Sequence, residues 1–145
     1  AEDGIRDVAV TGVQTCALPI CLVVPVIGSA ERLTLAEIAG ARGAIVDKAR
    51  SNKLTQGDLE GGTFTISNLG MFGVEQFIAV LNPPQAAILA VGATEQRPVV
   101  RDGQIVARPM VTLTLTVDHR AVDGAQAAAF LQTLKAFVED PALAL

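Results

Sequence analysis

At 145 residues, half of them apolar and 18% charged, the chain has enough length and apolar content to bury one core, and it does not fit the disordered class. A formal net charge of -4, with no tryptophan or tyrosine, leaves neither the basic surface nor the aromatic platform that nucleic-acid binding uses. Two uncharged stretches, 8–30 and 76–94, are long enough to raise a membrane span, but Pro19 and Pro25 interrupt the first and Pro83-Pro84 the second, so neither reads as an unbroken apolar helix.

The amino end is acidic at Glu2, Asp3 and Asp7, which is unlike a secretory signal. Cys16 and Cys21 have no further cysteine or neighbouring histidine beside them and fit neither a zinc site nor a disulfide framework. The expectation is a soluble protein of a reducing, cytoplasmic compartment, with no metal, membrane or nucleic-acid partner. Residues 1–20 show no sustained helical or strand period and resemble the peptide produced when sequencing-adapter DNA is translated. They are expected to be a non-native or unstructured segment, an irregular N-terminal arm being the other reading, with the folded domain over 21–145.

From Cys21 the pattern becomes regular. Leu22 to Ile27 is a short β-branched apolar run that predicts a buried strand, with Pro25 at an edge or bulge. Thr34 and Glu37 form a capping-box pair, flanked by Leu33 and Ile38 as a hydrophobic staple, and predict a helix with Leu35, Ile38, Ile45, Val46 and Ala49 on its apolar face. Thr63 to Ser67 alternates Phe64 and Ile66 with hydroxyl residues, the pattern of a strand running into the glycine-rich turn Asn68 to Gly73.

Ala86 to Val91 predicts a second buried strand, entered through Asn82-Pro83-Pro84, where the prolines forbid helix. Arg97–Arg101 and Gln104–Arg108 flank Asp102-Gly103, the dipeptide that supplies positive φ to a type I′ hairpin turn. Met110 to Val117 alternates valine and leucine with threonine, as a half-buried strand does. After Gly124, a helix places Ala127, Phe130, Leu131, Leu134, Phe137 and Val138 on one face, and Pro141 closes it. This order implies an α+β layer fold, with two helices covering a mixed, mostly antiparallel sheet.

Three residues are candidates for chemistry. His119, the one histidine, stands where a long strand gives way to a turn, and it is open to two readings: a proton carrier near neutral pH, or a turn histidine with no chemical role. Asp123 precedes the last helix, where an aspartate serves as an N-cap and can also orient a neighbouring histidine. Ser67 ends its strand beside a flexible turn, from which its hydroxyl can reach a developing oxyanion. No glycine-rich nucleotide loop, Walker phosphate loop, nucleophile elbow or His/Cys metal cluster is present in the sequence.

TFTISNLGMFG at 63–73, NPPQAAILAVG at 82–92 and DHRAVDG at 118–124, with LVVPVI at 22–27 upstream, resemble in order and spacing the signature blocks of the dihydrolipoamide acyltransferase catalytic domain of 2-oxoacid dehydrogenase complexes. The resemblance covers residues 21–145, and its HxxxDG is shared with the chloramphenicol acetyltransferases. It implies a chloramphenicol acetyltransferase-like fold and transfer of an acyl group, acetyl by preference, between dihydrolipoamide and coenzyme A. His119 matches the general base, Ser67 the hydroxyl that stabilises the oxyanion, and Asp123 the acidic or amide residue that supports the site.

The resemblance also implies coenzyme A or acyl-CoA as substrate, lipoamide carried on a lipoyl domain outside this chain, and no metal. The implied partners are two further copies in a homotrimer whose serine and histidine come from different chains, a larger core packed partly through Leu143 and Leu145, and the decarboxylase and dihydrolipoamide dehydrogenase components. Against the family pattern, the match begins about a third of the way into the catalytic domain, so the domain is expected to be incomplete and the isolated chain to be weakly active or inactive. A non-catalytic scaffold subunit of the same fold is the alternative, and antibiotic acetylation rests on HxxxDG alone.

Overall fold

The computed structural model describes residues 5–6, 14–18 and 21–144. The described elements are β1 (Ile5–Arg6), β2 (Gln14–Leu18), β3 (Cys21–Val23), α1 (Leu35–Arg50), β4 (Thr65–Asn68), β5 (Ala87–Arg101), β6 (Gln104–Val117) and α2 (Gly124–Glu139), joined by short 3₁₀ turns. They form two three-stranded sheets: β1-β2-β3 is antiparallel, whereas β4-β5-β6 is mixed, with β4 parallel and β6 antiparallel to β5. The α+β class and the mixed, mostly antiparallel sheet are as the sequence implies. Within the first twenty residues, where the sequence shows no period, the described residues pair as β1 and β2. The side chains of Cys16 and Cys21, and Leu145 as a whole, lie outside the described residues.

The strand expected over 22–27 stops at Val23. Pro25 has no N–H to give a ladder and is fully buried, and beyond it the chain is tied instead by Val26, whose N–H donates to the Asp58 carbonyl at 2.7 Å. Asp58 is itself fixed. Its carboxylate accepts from Lys48 Nζ at 2.8 Å and from the backbone and hydroxyl of Thr55, and these bonds hold its pKa well below the usual carboxylate range.

α1 begins as its sequence predicts. Glu37 N donates to Thr34 Oγ1 at 3.3 Å while Thr34 N donates to Glu37 at 2.7 Å, so two otherwise unpaired backbone donors are satisfied reciprocally. Ile45 and Val46 are buried with Leu54 against them, but Leu35, expected on the apolar face, is 64% exposed. It lies in the first turn, more than two turns from the cluster that covers Ile45 and Val46.

The central sheet differs from expectation in its continuity. The hairpin arms and the following strand merge into two long strands, paired from Ala87↔Val117 to Arg101↔Gln104 with a single irregularity between Val91 and Thr94. Asp102 and Gly103 turn the hairpin at φ 51° and 75°, the left-handed values that a type I′ turn requires. β4 ends opposite Val91, so Pro98 falls where β5 has a ladder neighbour on one side only, a position that tolerates proline.

Directly paired residues project to the same face. One face therefore carries Thr65, Ser67, Ile88 and Ala90, covered by the extended segment around Phe77, Ala79 and Leu81. The other face meets α2, where the Phe64 and Phe130 rings stand 5.8 Å apart. Of the predicted α2 face, Ala127, Leu131 and Leu134 are half-buried, while Phe130, Phe137 and Val138 keep 41–51% of their surface exposed: the sheet covers one stripe of the helix more fully than the rest of its apolar width.

The covering segment approaches β5 where the ladder is irregular. Ala93 N donates to the Val74 carbonyl at 2.8 Å, and a Cβ built on Gly92 would overlap the Glu75 carbonyl, 2.8 Å from its carbon. Glycine is required there because backbone meets backbone. Gly92→Ala is expected to destabilise the fold by about 2 kcal/mol or more, read as a lowered urea midpoint; an unchanged midpoint would show that the segment does not lie against β5.

Candidate functional site

Ser67 occupies the third position of β4, in register with Ala90. The alternation that buries Thr65 sends Ser67 to the same side two residues on, and only 4% of Ser67 is exposed. It nevertheless lines a cavity of ≈ 400 Å³ whose apolar walls include Phe77, Leu81 and Ile88, with Thr65 and Asn82 as further polar groups. Thr65 donates its hydroxyl to the buried side-chain carbonyl of Gln85, so the polar floor is braced from the loop that precedes β5. After Ser67 the chain turns sharply: Gly70 N donates to Asn68 Oδ1 at 2.8 Å, and Leu69 N to the Val91 carbonyl at 3.1 Å.

His119 lies across the sheet from Ser67, exposed in the turn after β6. The turn itself is tightly held. Asp118 N donates to the Ala86 carbonyl at 2.8 Å, extending the ladder by one residue, and the Asp118 carbonyl accepts from Ala121 N and Val122 N at 2.9 and 3.0 Å. Across the turn, Arg120 grips the Asp118 carboxylate through Nε at 3.0 Å and Nη2 at 2.6 Å. Asp123 is the N-cap of α2: its carboxylate accepts from Gln126 N at 2.8 Å, and its own N–H donates to Gln126 Oε1 at 3.2 Å. The aspartate is thus held at the start of the helix, one turn of chain beyond the histidine.

These placements bring His119 and Asp123 into one short turn but leave Ser67 apart from both. Ser67 pairs with Ala90, and Ala90 with Thr114. Val117, where β6 ends, is therefore two strand spacings across and three residues along from Ser67, roughly 14 Å away at ordinary strand dimensions, and His119 follows in the turn two residues beyond it. Within one chain the serine and the histidine thus stand on opposite outer strands of the three-stranded sheet, the histidine past the end of its strand.

The 2-oxoacid dehydrogenases acyltransferase (catalytic domain) family matches residues 12–145. The chain belongs to this family. A curated relative, the probable dihydrolipoyllysine-residue succinyltransferase component of the mitochondrial 2-oxoglutarate dehydrogenase complex of Schizosaccharomyces pombe, is 49% identical over 126 residues, which is 87% of this chain and 28% of that protein. The solved dihydrolipoamide acetyltransferase of Azotobacter vinelandii superposes with a TM-score of 0.81 at 39% identity, over 88% of this chain and 53% of that one. The cubic core of the pyruvate dehydrogenase multienzyme complex, a multi-subunit assembly, superposes with the same TM-score of 0.81 at 38% identity, covering 88% of this chain and 53% of its own. The chain thus spans about a third of the length of curated relatives and about half the length of these solved acyltransferase chains.

Two features around these residues were not read from the sequence. The Asp118–Arg120 clamp stands inside the DHRAVDG block, and its signal was an acid and a base two residues apart on either side of the histidine. The Thr65–Gln85 brace joins residues twenty positions apart, and the sequence carries no local sign of it. Among the described residues no group of three or more His, Cys, Asp and Glu side chains gathers as a metal site would require.

Hydrogen bonds from Arg120 hold the Asp118 carboxyl down at about 2, against an ordinary value of 3.8. The clamp therefore stabilises the turn fully above the unfolded value and is lost as pH falls toward 2. In an Arg120→Gln variant the Asp118 midpoint, followed by carboxyl NMR, is expected to rise from about 2 toward 3.8; a midpoint that stays low would show that Arg120 is not the cause.

Proposed function

We propose that this chain forms part of an acyltransferase that moves an acyl group between dihydrolipoamide and coenzyme A, as its family membership suggests. The observation that carries this reading is the placement of Ser67: a buried hydroxyl at the wall of an apolar cavity, with its own His119 two strands away in an exposed turn. Such an arrangement has a purpose if a second copy brings its histidine to the cavity. A symmetric assembly then repeats one serine and one histidine at each junction between chains, which fits a homotrimer built into a larger core. The exposed Phe130, Phe137, Val138 and Leu143 offer apolar surface to such packing.

The Azotobacter vinelandii acetyltransferase supports the assignment of roles. The serine, histidine and asparagine examined there for parts in its catalytic mechanism are separated by the same intervals as Ser67, His119 and Asp123. Asp123 replaces the asparagine and caps α2 through one carboxylate oxygen.

The reaction then proceeds without a covalent enzyme intermediate. His119 takes the proton of the attacking thiol, whose ordinary pKa of about 8.5 leaves it mostly protonated at neutral pH. The thiolate adds to the thioester carbonyl, and the Ser67 hydroxyl donates to the oxyanion as the charge develops. Collapse of the tetrahedral species breaks the original C–S bond, and His119 returns its proton to the departing thiolate. The lipoyl group arrives on a separate domain, and the decarboxylase and dihydrolipoamide dehydrogenase components supply and reoxidise it.

Acyl transfer from acetyl-CoA to dihydrolipoamide tests this, with the chain completed to the length of the catalytic domains it matches. His119→Ala is expected to lower kcat by about 10²–10⁴, and Ser67→Ala by about 10²–10³. Equal rates in His119→Ala and the parent, or no transfer by a well-formed assembly, would leave a scaffold subunit as the better reading.

A further inference from the structure

We propose that the cavity beside Ser67 selects an uncharged acyl group, acetyl or a short branched acyl, and rejects the carboxylate-bearing succinyl group. The inference rests on the acyltransferase reading and adds the substrate class, which the family leaves open: a succinyltransferase and an acetyltransferase both stand among the relatives of this chain.

The wall chemistry carries the argument. Among the described residues, the side chains that line the cavity are all uncharged: Val24, Leu69, Phe77, Ala79, Leu81 and Ile88 supply apolar surface together with Val80, and Thr65, Ser67 and Asn82 supply the polar atoms. Thr65 is committed to Gln85, and Ser67 is the oxyanion donor of the proposed reaction. Asn82 brings an amide, which can hydrogen-bond a carboxylate but cannot neutralise it. The cation that a second copy brings beside His119, Arg120, is already committed to Asp118, so a carboxylate taken from water into such a cavity loses hydration that nothing replaces. An acetyl or isobutyryl group loses none and gains apolar contact. The volume of ≈ 400 Å³ accommodates a small acyl group together with the thioester-bearing end of the carrier, so size does not exclude a short branch and charge is the discriminating property.

Val80 is the position at which this property can be changed without disturbing the core. It lines the cavity and is 87% exposed, so a lysine there keeps its stem at the rim and can bring its ammonium to a bound carboxylate.

The test compares acetyl-CoA, isobutyryl-CoA and succinyl-CoA as donors to dihydrolipoamide in the assembled protein, in Val80→Lys, and in Val80→Met as the uncharged variant of similar length. The parent is expected to use acetyl-CoA and isobutyryl-CoA with kcat/KM at least about a hundredfold above that for succinyl-CoA, and Val80→Lys to narrow this ratio by at least about tenfold. Val80→Met is expected to leave the ratio in place. Use of succinyl-CoA by the parent at a rate near that of acetyl-CoA would overturn the proposal, as would equal ratios in the lysine and methionine variants. Absence of transfer from all three donors would overturn the acyltransferase reading itself, and this inference with it.

Discussion

Everything in the arrangement depends on the register of β5 with its two neighbours. In a sheet of period two, moving one strand by a single residue sends every side chain to the opposite face. The observed register sets Thr65 and Ser67 beside Ile88 and Ala90 on the cavity side, and leaves Phe64 to meet Phe130 of α2 on the other. A slip of β4 would carry Ser67 under α2 and remove it from the cavity altogether. The same ladder places His119 beyond the far end of β6. The separation of serine from histidine therefore begins with strand pairing, which puts them on the two outer strands of the sheet.

The cavity needs a roof as well as a floor, and the roof is secured by backbone contact more than by side chains. The chain after Gly73 crosses β5 where the ladder is irregular, close enough that Gly92 faces the Glu75 carbonyl directly. Arg97 lies 3.0 Å from Glu75 and donates to Thr112 at 3.4 Å, joining this segment to β6. With Glu75 largely exposed the ion pair adds little energy, and the glycine contact and the Val74–Ala93 hydrogen bond carry the main constraint. Below, the Thr65–Gln85 bond offsets the desolvation of two buried polar groups at once. Ser67 is thereby held in a fixed place by neighbours on three sides.

Much of this was legible in the sequence wherever one local rule decides the outcome. Thr34 with Glu37, Asp102 with Gly103 and Asp123 before its helix each specify geometry within four residues, and each forms as expected. The threonine-alternating run 110–117 showed a half-buried strand for the same reason. Where the outcome depends on distant partners, the sequence was silent or misleading. It showed the arms 97–101 and 104–108 and the strand 110–117 as separate pieces, because the continuous pairing that joins them into two long strands is a tertiary fact. It extended a strand through Pro25, whose burial and whose neighbour's bond to Asp58 are tertiary facts. It placed Leu35 and Val138 on apolar faces where they stay exposed, because periodicity marks an apolar stripe without measuring how much of it its neighbours can cover. The roles of His119, Ser67 and Asp123 came from resemblance, since no spacing along one chain could reveal that the serine and the histidine stand on opposite outer strands of one sheet.

The central claim is that each site takes its serine from one copy and its histidine from another, and subunit mixing tests it most directly. Ser67→Ala and His119→Ala chains, each inactive alone, would be dissociated, mixed in equal amounts and reassembled before acyl transfer is assayed. A site shared between chains regains an intact serine and an intact histidine at roughly a quarter of the junctions in a randomly mixed symmetric assembly, so activity should return to about that fraction of the parent. If mixed assemblies form and remain as inactive as either variant alone, the serine and histidine act within one chain, and the shared site is contradicted.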